Sequence, residues 1–322
     1  MRSQYLFLIL LASLLSSSSQ AQSTKNGDIQ KMQDQPSYVE HSITSKDGTK
    51  IGYLEIGEGP GLILVEGAMG TAYNYDQLAR KLATDFTVYL PDRRGRGLSP
   101  KEFRPDHTIQ RDIEDLSALL DKTGAHYVYG LSSGAVITIE ATRTLPAIKK
   151  AAIYEPPFHP STEPMDLKQV DLFNRQVTQG NLAAAMVTAL KMVRLGPAIL
   201  NLVPRPLLEF GAARAIHWQD QKGTAPYAPF RQLIPAMRYD FRDVSEMQGK
   251  QQTYRSVRQD VLLLGGTASP NYLKEALNTL EKTLPKVRRI EFEGLDHAGS
   301  WNKDKGGHPD VVAEALRNFF KN

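Results

Sequence analysis

The feature that most constrains this chain is a serine set between two glycines, with a strand-like run before it and a helix-like run after it. Residues 127–129 are β-rich and apolar, residues 130–134 read G-x-S-x-G around Ser132, and an apolar stretch of helical spacing follows. Small residues at these two positions allow a sharp strand-to-helix turn that would expose the serine hydroxyl above a sheet edge. The pattern alone also fits a serine-rich loop capping a helix, so the flanking chain must decide between the two.

Segments of strand-like and helix-like pattern alternate on both sides of this turn. Apolar runs typical of strands buried on both faces lie at residues 62–65, 86–90, 126–130, 151–154, 261–264 and 287–292. Apolar residues at helical spacing separate several of them, as at residues 109–121. Two β-like runs around an Asp-Gly pair within residues 37–56 predict a hairpin before them. This order predicts an α/β fold with a mostly parallel, doubly wound sheet.

The alternation stops over residues 158–250, where no convincing strand pattern occurs. Apolar spacing predicts one helix from Leu167 that ends at Gly180, and another from Leu182 that ends at Gly196. Prolines further along predict that the rest divides into short pieces: Pro204, Pro206, Pro226, Pro229 and Pro235. We interpret residues 158–250 as a helical cap inserted into a core formed by residues 37–157 and 251–322.

The N-terminus has the pattern of an export signal. Arg2 precedes a short apolar run, and Ser19 and Ala21 are small residues at the positions that a signal peptidase reads. Residues 1–21 are therefore predicted to be a cleaved signal peptide and residues 22–36 a flexible leader, so the protein is expected to be exported, to the periplasm or beyond. The run is too short for a comfortable membrane span, and an uncleaved anchor is the alternative.

Composition excludes several classes of function. The 322 residues carry a formal net charge of +4, and no dense basic cluster alternates with aromatic residues, so no nucleic-acid partner is expected. The chain has no cysteine, which excludes a thiol nucleophile, thiolate metal sites and disulfides. Its histidines lack metal-ligand spacing, and neither a phosphate loop nor a dinucleotide fingerprint is present. No cofactor is expected.

A reactive serine needs a base to accept its proton and a carboxylate to orient that base. In parallel sheets such groups gather at the carboxyl ends of strands. His297 lies in a glycine-containing loop after the last strand-like run, and Glu155 ends the strand-like run that follows Ser132. Two prolines after Glu155 would hold its backbone in place. Asp240 and Asp243, near the end of the insert, are alternative acids, and the absence of any acid is the remaining alternative.

Three motifs in order are similar to those of the α/β-hydrolase fold superfamily, and the resemblance covers residues 40–322. They are a D-x-R-G-x-G-x-S loop at residues 92–99, the nucleophile elbow at 130–134 and a G-x-x-H loop at 294–297. The resemblance implies Ser132 as nucleophile and His297 as base. It also implies an oxyanion hole formed by the backbone N–H groups of Ala68 and Ser133, and a cap that closes over the substrate.

The position of the acid departs from the most common pattern of the superfamily. Most members carry it in the loop after the strand at residues 261–264, which here begins Gly265-Gly266 and has no carboxylate before Glu275. Some members, including certain haloalkane dehalogenases, place it after the strand that follows the nucleophile. That alternative favours Glu155 as the third member of the triad.

A second departure lies in the oxyanion loop, where Glu66 stands at a position that usually holds histidine. A carboxylate close to a developing oxyanion is unfavourable unless it is neutralised or turned away. We predict a salt bridge between Glu66 and Arg93, Arg94 or Arg96 that organises the loop. Asp92 is predicted to cap its own turn.

These residues predict a serine hydrolase that cleaves a carboxylic ester, thioester or similar acyl bond through an acyl-enzyme. The insert is rich in Leu, Met, Ala and Pro, which favours an apolar small-molecule acyl substrate. A serine in place of an aspartate nucleophile argues against dehalogenase or epoxide-hydrolase chemistry. The alternatives are hydrolysis of an amide, a lactone or a carbon–carbon bond by the same triad, and a non-catalytic binding protein that kept the fold.

Overall fold

The computed structural model describes residues 37–100, 102–160, 164–194 and 202–322. The predicted signal peptide and leader lie outside these ranges and stay predictions. The described strands are β1 (Val39–Thr44), β2 (Lys50–Ile56), β3 (Gly61–Val65), β4 (Thr87–Pro91), β5 (Tyr127–Leu131), β6 (Lys150–Tyr154), β7 (Asp260–Gly266) and β8 (Val287–Phe292). The described α-helices are α1 (Asp76–Leu82), α2 (Ile109–Thr123), α3 (Ser133–Thr144), α4 (Leu167–Thr178), α5 (Leu182–Val193), α6 (Arg205–Lys222), α7 (Phe230–Met247), α8 (Asn271–Thr283) and α9 (Pro309–Lys321).

The strands form one sheet in the order β1-β2-β4-β3-β5-β6-β7-β8. The hairpin β1-β2 is antiparallel and joins the sheet antiparallel to β4, whereas the pairs from β4 through β8 are parallel. The predicted hairpin and the predicted mostly parallel, doubly wound sheet are both confirmed. Parallel strands end at one edge of a sheet, so the loops after β3, β5, β6, β7 and β8 share that edge.

Helices cover both faces of the sheet because its central strands are apolar on both sides. In β3, Ile63 packs in the cluster that includes residues of α2, α3 and α8, while its neighbour Leu64 packs in the cluster with α1 and α9. In β5, Val128 likewise packs in the first of these clusters and Tyr129 in the second. Burying each such aliphatic side chain contributes about 1.5–3 kcal/mol, so the two clusters hold the elbow loop on a rigid base.

Four consecutive helices, α4 to α7, lie between β6 and β7, within the predicted insert. Their inward faces form a separate apolar cluster that includes Phe173, Met186, Ile216, Ile234 and Phe241. The chain offers no strand in the described part of this segment. It therefore has the all-helical character that the sequence predicts, and it packs as a unit with its own core.

The prediction that prolines break the second half of the insert into short pieces is wrong. Helices α6 and α7 each span 18 residues. Pro204 and Pro229 precede these helices, and Pro206 occupies the first turn of α6, where the missing N–H would have had no partner. Pro235 lies within α7, whose remaining hydrogen bonds and buried face keep it continuous.

Candidate active site

Ser132 occupies a sharp turn between β5 and α3. Its backbone has φ 57° and ψ −123°, and its N–H donates to the carbonyl oxygen of Tyr154 over 2.9 Å. A Cβ atom at Gly130 would lie 2.5 Å from the carbonyl oxygen of Gly134, and a Cβ atom at Gly134 would lie 2.4 Å from that of Glu66. The two glycines of the motif are thus required by close backbone approach, and Ser132 is left half-buried at the carboxyl edge of the sheet.

His297 and Glu155 are in direct contact. The distance from His297 Nδ1 to Glu155 Oε2 is 2.8 Å, the carboxylate is fully buried and the imidazole is 16% exposed. The other carboxylate oxygen, Oε1, accepts a 2.7 Å hydrogen bond from the N–H of Gly266. A Cβ atom at Gly265 would lie 3.1 Å from the same oxygen. The loop after β7 has no acidic residue of its own. It makes room for the carboxylate of Glu155 and binds it.

The loop that carries His297 is fixed to β6 by Tyr154. The Tyr154 hydroxyl donates to the carbonyl oxygen of Asp296 over 2.8 Å. A Cβ atom at Gly299 would lie 2.2 Å from that hydroxyl oxygen, so only glycine fits there. The Asp296 side chain accepts from the N–H of Ala298 within the loop. These contacts set the imidazole beside Glu155 with little freedom.

Backbone strain is concentrated at this edge of the sheet. Among the described residues, the non-glycine residues with positive φ are Met69, Ser132, Glu155 and Arg194. Glu155 and Ser132 end neighbouring strands, and Met69 lies in the loop after β3. Such conformations cost about 1–3 kcal/mol each and cluster at functional sites, because surrounding structure must hold them. Their distribution independently marks this edge as the candidate site.

The loop after β3 lies against the elbow. A Cβ atom at Gly67 would lie 2.9 Å from Ser132 Cβ, and Ala68 and Met69 pack against the apolar cluster of the cap. Ser133 is buried as the first residue of α3. The two residues predicted to supply oxyanion N–H groups, Ala68 and Ser133, therefore both neighbour Ser132.

Glu66 is buried, and it forms the predicted salt bridge with Arg96, over a long distance. Its Oε1 accepts a 2.8 Å hydrogen bond from the backbone N–H of Arg93, whereas Arg96 Nε is 3.9 Å away and Arg94 pairs with other carboxylates. Burial raises the pKa of Glu66 to about 8, in spite of the opposing attraction of Arg96 and Arg93. The raised pKa favours the protonated form, which reduces the negative charge that Glu66 would otherwise place beside the oxyanion loop.

Replacing Glu66 with glutamine is expected to change how stability depends on pH. Because the folded pKa of Glu66 lies above its unfolded value of 4.5, the wild-type free energy of unfolding should fall by about 1.4 kcal/mol per pH unit between these two values. Glutamine resembles the protonated carboxyl and does not titrate, so the variant should not show this fall in the free energy of unfolding. Urea unfolding at pH 5, 6.5 and 8 should therefore show the variant gaining stability relative to wild type as pH rises. A difference that stays constant would mean that Glu66 remains ionised.

Asp92 caps its turn as predicted. Its Oδ2 accepts from the N–H of Leu98 and its Oδ1 from the N–H of Ala72, each over 2.8 Å. A Cβ atom at Gly97, where φ is 52°, would lie 1.7 Å from the same carboxylate. Asp92 thereby ties the arginine-containing loop of residues 93–96 to the segment that follows the oxyanion loop.

A buried charge network beside the elbow has no counterpart in the sequence predictions. Arg93 binds Asp112, Asp240 and Asp243 over 3.1, 2.8 and 2.9 Å. Asp240 and Asp243, the alternative acids, thus lie against this guanidinium, while Glu155 lies against the imidazole. The sequence does carry one signal of this network. Asp240 and Asp243 lie three residues apart on the otherwise apolar, buried face of α7, and such a pair predicts a buried cation as partner.

His107 completes this network as a cation. Its Nε2 lies 2.9 Å from both Asp112 Oδ2 and Asp243 Oδ1. Although burial opposes it, the charge of Asp112 and its hydrogen bonds with Asp112 and Asp243 raise the pKa of His107 to about 10. The three side chains bring ligand atoms within 4.8 Å of one another, the spacing of a metal site. The imidazolium and the guanidinium of Arg93 already neutralise these carboxylates, so we interpret the group as an ion-pair cluster.

Comparisons with known proteins show which family and which structures this chain is similar to. Residues 62–315 match the model of the alpha/beta hydrolase family. The chain is 34% identical over 79 residues to a cis-3-alkyl-4-alkyloxetan-2-one decarboxylase of Shewanella oneidensis, and 30% identical over 124 residues to an N-formylmaleamate deformylase of Pseudomonas putida. These alignments cover 24% and 37% of this chain, and only 25% and 46% of the relatives.

One solved structure is similar over nearly its whole length. It is an alpha/beta hydrolase from Sphaerobacter thermophilus, with a TM-score of 0.69 and 28% sequence identity. The superposition covers 87% of this chain and 100% of that one.

Proposed function

Since the chain belongs to the alpha/beta hydrolase family, we propose that it is a hydrolase that cleaves a carboxylic ester or related acyl bond with a triad of Ser132, His297 and Glu155. The observation that carries the proposal is the 2.8 Å contact between His297 and the buried carboxylate of Glu155. It lies at the sheet edge where the strained Ser132 turn also lies. Nucleophile, base and orienting acid are the three groups that acyl transfer requires.

In the proposed mechanism, Ser132 Oγ attacks the substrate carbonyl while His297 Nε2 accepts the serine proton. Glu155 accepts a hydrogen bond from His297 Nδ1–H, which fixes the tautomer that leaves Nε2 free and stabilises the imidazolium that forms. The imidazolium then protonates the leaving group. The same imidazole then accepts a proton from water as the water attacks the acyl carbonyl, and it returns that proton to Ser132 Oγ as the carboxylic acid leaves.

The negative charge that develops on the carbonyl oxygen needs hydrogen-bond donors held in place beforehand. We propose the backbone N–H groups of Ala68 and Ser133 for this role. Their support is their position on either side of the Ser132 turn, together with the raised pKa of Glu66, which reduces the negative charge beside the loop.

An apolar acyl group is the substrate class that the cap favours. Ala68 and Met69 of the oxyanion loop pack directly against the cap cluster, which is built from Phe, Met, Val, Ile and Ala side chains. Ala68 and Met69 are only half-buried, so a substrate held beside the oxyanion loop would contact their apolar side chains. Apolar walls with a few placed polar groups are typical of small-molecule sites.

The function is tested with a panel of p-nitrophenyl esters of increasing acyl length, together with a thioester, a lactone and an amide. We expect hydrolysis of the esters, with kcat/KM rising from acetate toward medium-length chains. The Ser132→Ala variant serves as the control for background hydrolysis. A folded wild-type protein that hydrolyses none of these compounds would contradict the proposal and favour a non-catalytic binding protein.

Amide hydrolysis is the second candidate, supported by the similarity to an N-formylmaleamate deformylase. The same triad can perform it, because the histidine that protonates an alcohol leaving group can also protonate an amine. The panel therefore includes an N-formyl amide. A kcat/KM for that compound above that of every ester would assign the protein to this class instead.

Export remains part of the proposal. Its support is the sequence of residues 1–21. Separately, no helix in the described ranges has both the length and the apolar character needed to cross a bilayer. Expression of the full chain in a Gram-negative host, followed by N-terminal sequencing of the periplasmic fraction, should give a mature protein that begins at Gln22. Recovery of the chain only in the cytoplasm with an intact N-terminus would contradict it.

A further inference from the structure

One carboxylate of the cap, that of Asp240, binds two arginines and a serine of the core. Its Oδ1 accepts from Ser133 Oγ over 2.6 Å and from Arg93 Nη1 over 2.8 Å, and its Oδ2 accepts from Arg96 Nη2 over 2.8 Å. The side chain is 2% exposed. Although burial opposes it, the guanidinium groups of Arg96 and Arg93 lower the pKa of Asp240 below its ordinary value, so it is an anion at neutral pH.

The two arginines also hold the oxyanion loop. Arg96 Nη1 donates to the carbonyl oxygen of Gly67 over 3.0 Å, and Arg93 Nη1 donates to that of Glu66 over 3.3 Å. The carbonyl of Gly67 and the N–H of Ala68 belong to one planar trans peptide unit, in which they point in opposite directions. A cation fixed on the carbonyl therefore fixes the direction of the Ala68 N–H and polarises it as a donor.

The second proposed oxyanion donor is tied to the same carboxylate. Ser133 supplies its backbone N–H, and its hydroxyl bridges Asp240 and Arg93, with Arg93 Nη1 at 3.2 Å. Asp240 thus reaches one donor through the Ser133 side chain and the other through Arg96. Arg93 has further carboxylate partners in Asp112 and Asp243, whereas Asp240 makes the closest ion pair of Arg96.

We propose that Asp240 is a positioning residue through which helix α7 of the cap sets the geometry of the oxyanion hole. The inference rests on the proposed acyl-transfer function and extends it from the core to the cap. The hole then has its working geometry only while α7 is docked on the arginine loop. A cap displaced from the core would leave Ser132 and His297 in place but would weaken stabilisation of the transition state.

The test compares Asp240→Asn with Asp115→Asn. Asp115 is a matched control because it is also a buried carboxylate on an arginine of the same loop, with two 2.7 Å hydrogen bonds from Arg94. We expect Asp240→Asn to lower kcat by about 10- to 100-fold with KM changed less than about threefold, since only the transition state uses the oxyanion donors fully. The control should keep kcat within about threefold of wild type.

A second readout separates positioning from mere structural support. A boronic acid with the acyl chain of the best ester forms a tetrahedral adduct with a serine nucleophile, so its affinity should fall in Asp240→Asn by the same factor as kcat. Urea unfolding measures the stability of both variants. If Asp240→Asn is active with unchanged kcat, or if both variants lose kcat in proportion to stability, the inference is wrong.

If Asp240→Asn fails to fold, Ser133→Ala is the second test variant, because it removes only the hydroxyl that joins Ser133 to Asp240. It should lower kcat about 10-fold with KM unchanged. A Ser133→Ala variant with the kcat of wild type would overturn the inference. Wild-type protein that neither hydrolyses any ester nor binds the boronic acid would overturn the proposed function itself, and the inference with it, so the two failures are distinguishable.

Discussion

Replacing Glu155 with glutamine is expected to lower kcat for ester hydrolysis by about 10⁴-fold, the loss that the equivalent amide substitution causes in a Ser-His-Asp enzyme. The N–H of Gly266 needs an acceptor, so the glutamine oxygen should take the place of Oε1. Its NH₂ group would then face His297 Nδ1. An imidazole that accepts a hydrogen bond at Nδ1 carries its proton on Nε2 and cannot accept the proton of Ser132.

The experiment measures kcat and KM for the best ester with Glu155→Gln, Glu155→Asp and Glu293→Gln. Glu155→Asp keeps the charge one methylene further from the imidazole and should retain an intermediate kcat. Glu293 is an exposed carboxylate just after β8, so its variant should match wild type and controls for a change in net charge. A Glu155→Gln enzyme within tenfold of wild type would remove Glu155 from the triad.

Replacing Ser132 with alanine is expected to have the largest effect, a loss in kcat on the order of 10⁶-fold, because it removes the only atom that forms the acyl-enzyme. Alanine keeps the Cβ atom, so the turn at φ 57° should bear no added strain. The free energy of unfolding should therefore change by less than about 1 kcal/mol.

The double variant Ser132→Ala/Glu155→Gln adds a test of whether the residues act as one unit. Groups of a triad are strongly non-additive, so the double variant should be no slower than Ser132→Ala alone. A further large loss in the double variant would mean that Glu155 acts independently of the serine. A Ser132→Ala enzyme with more than about 1% of wild-type kcat would place the nucleophile elsewhere.

Features that depend on local pattern could be predicted from the sequence. The period of apolar residues identified the strands and helices of the core, and the glycines around Ser132 identified its turn. Gly265 and Gly266 show that the missing acid of the loop after β7 was itself informative. They lack a carboxylate because their backbone and missing side chains accommodate the one from Glu155.

Features that depend on partners far apart in the chain could not be predicted from the sequence. Asp240 is separated from Ser133 by 107 residues and from Arg93 by 147, and no local spacing relates them. The pKa of Glu66 could not be predicted for a related reason. The sequence predicts its arginine partner, but only the structure gives the burial that raises the pKa of this carboxyl to about 8. The prediction for the prolines of the cap is wrong because helix starts tolerate proline and because the buried face of α7 keeps that helix continuous through Pro235.

Reaction with a fluorophosphonate tests the central claim most directly, since this reagent modifies serines that are activated by a neighbouring base. We expect intact-mass spectrometry to show one phosphonyl group per wild-type chain, with peptide mapping that assigns it to Ser132. Glu155→Gln should react far more slowly, and Ser132→Ala should not react. A folded wild-type protein that stays unmodified, or that is modified at another residue, would contradict the account.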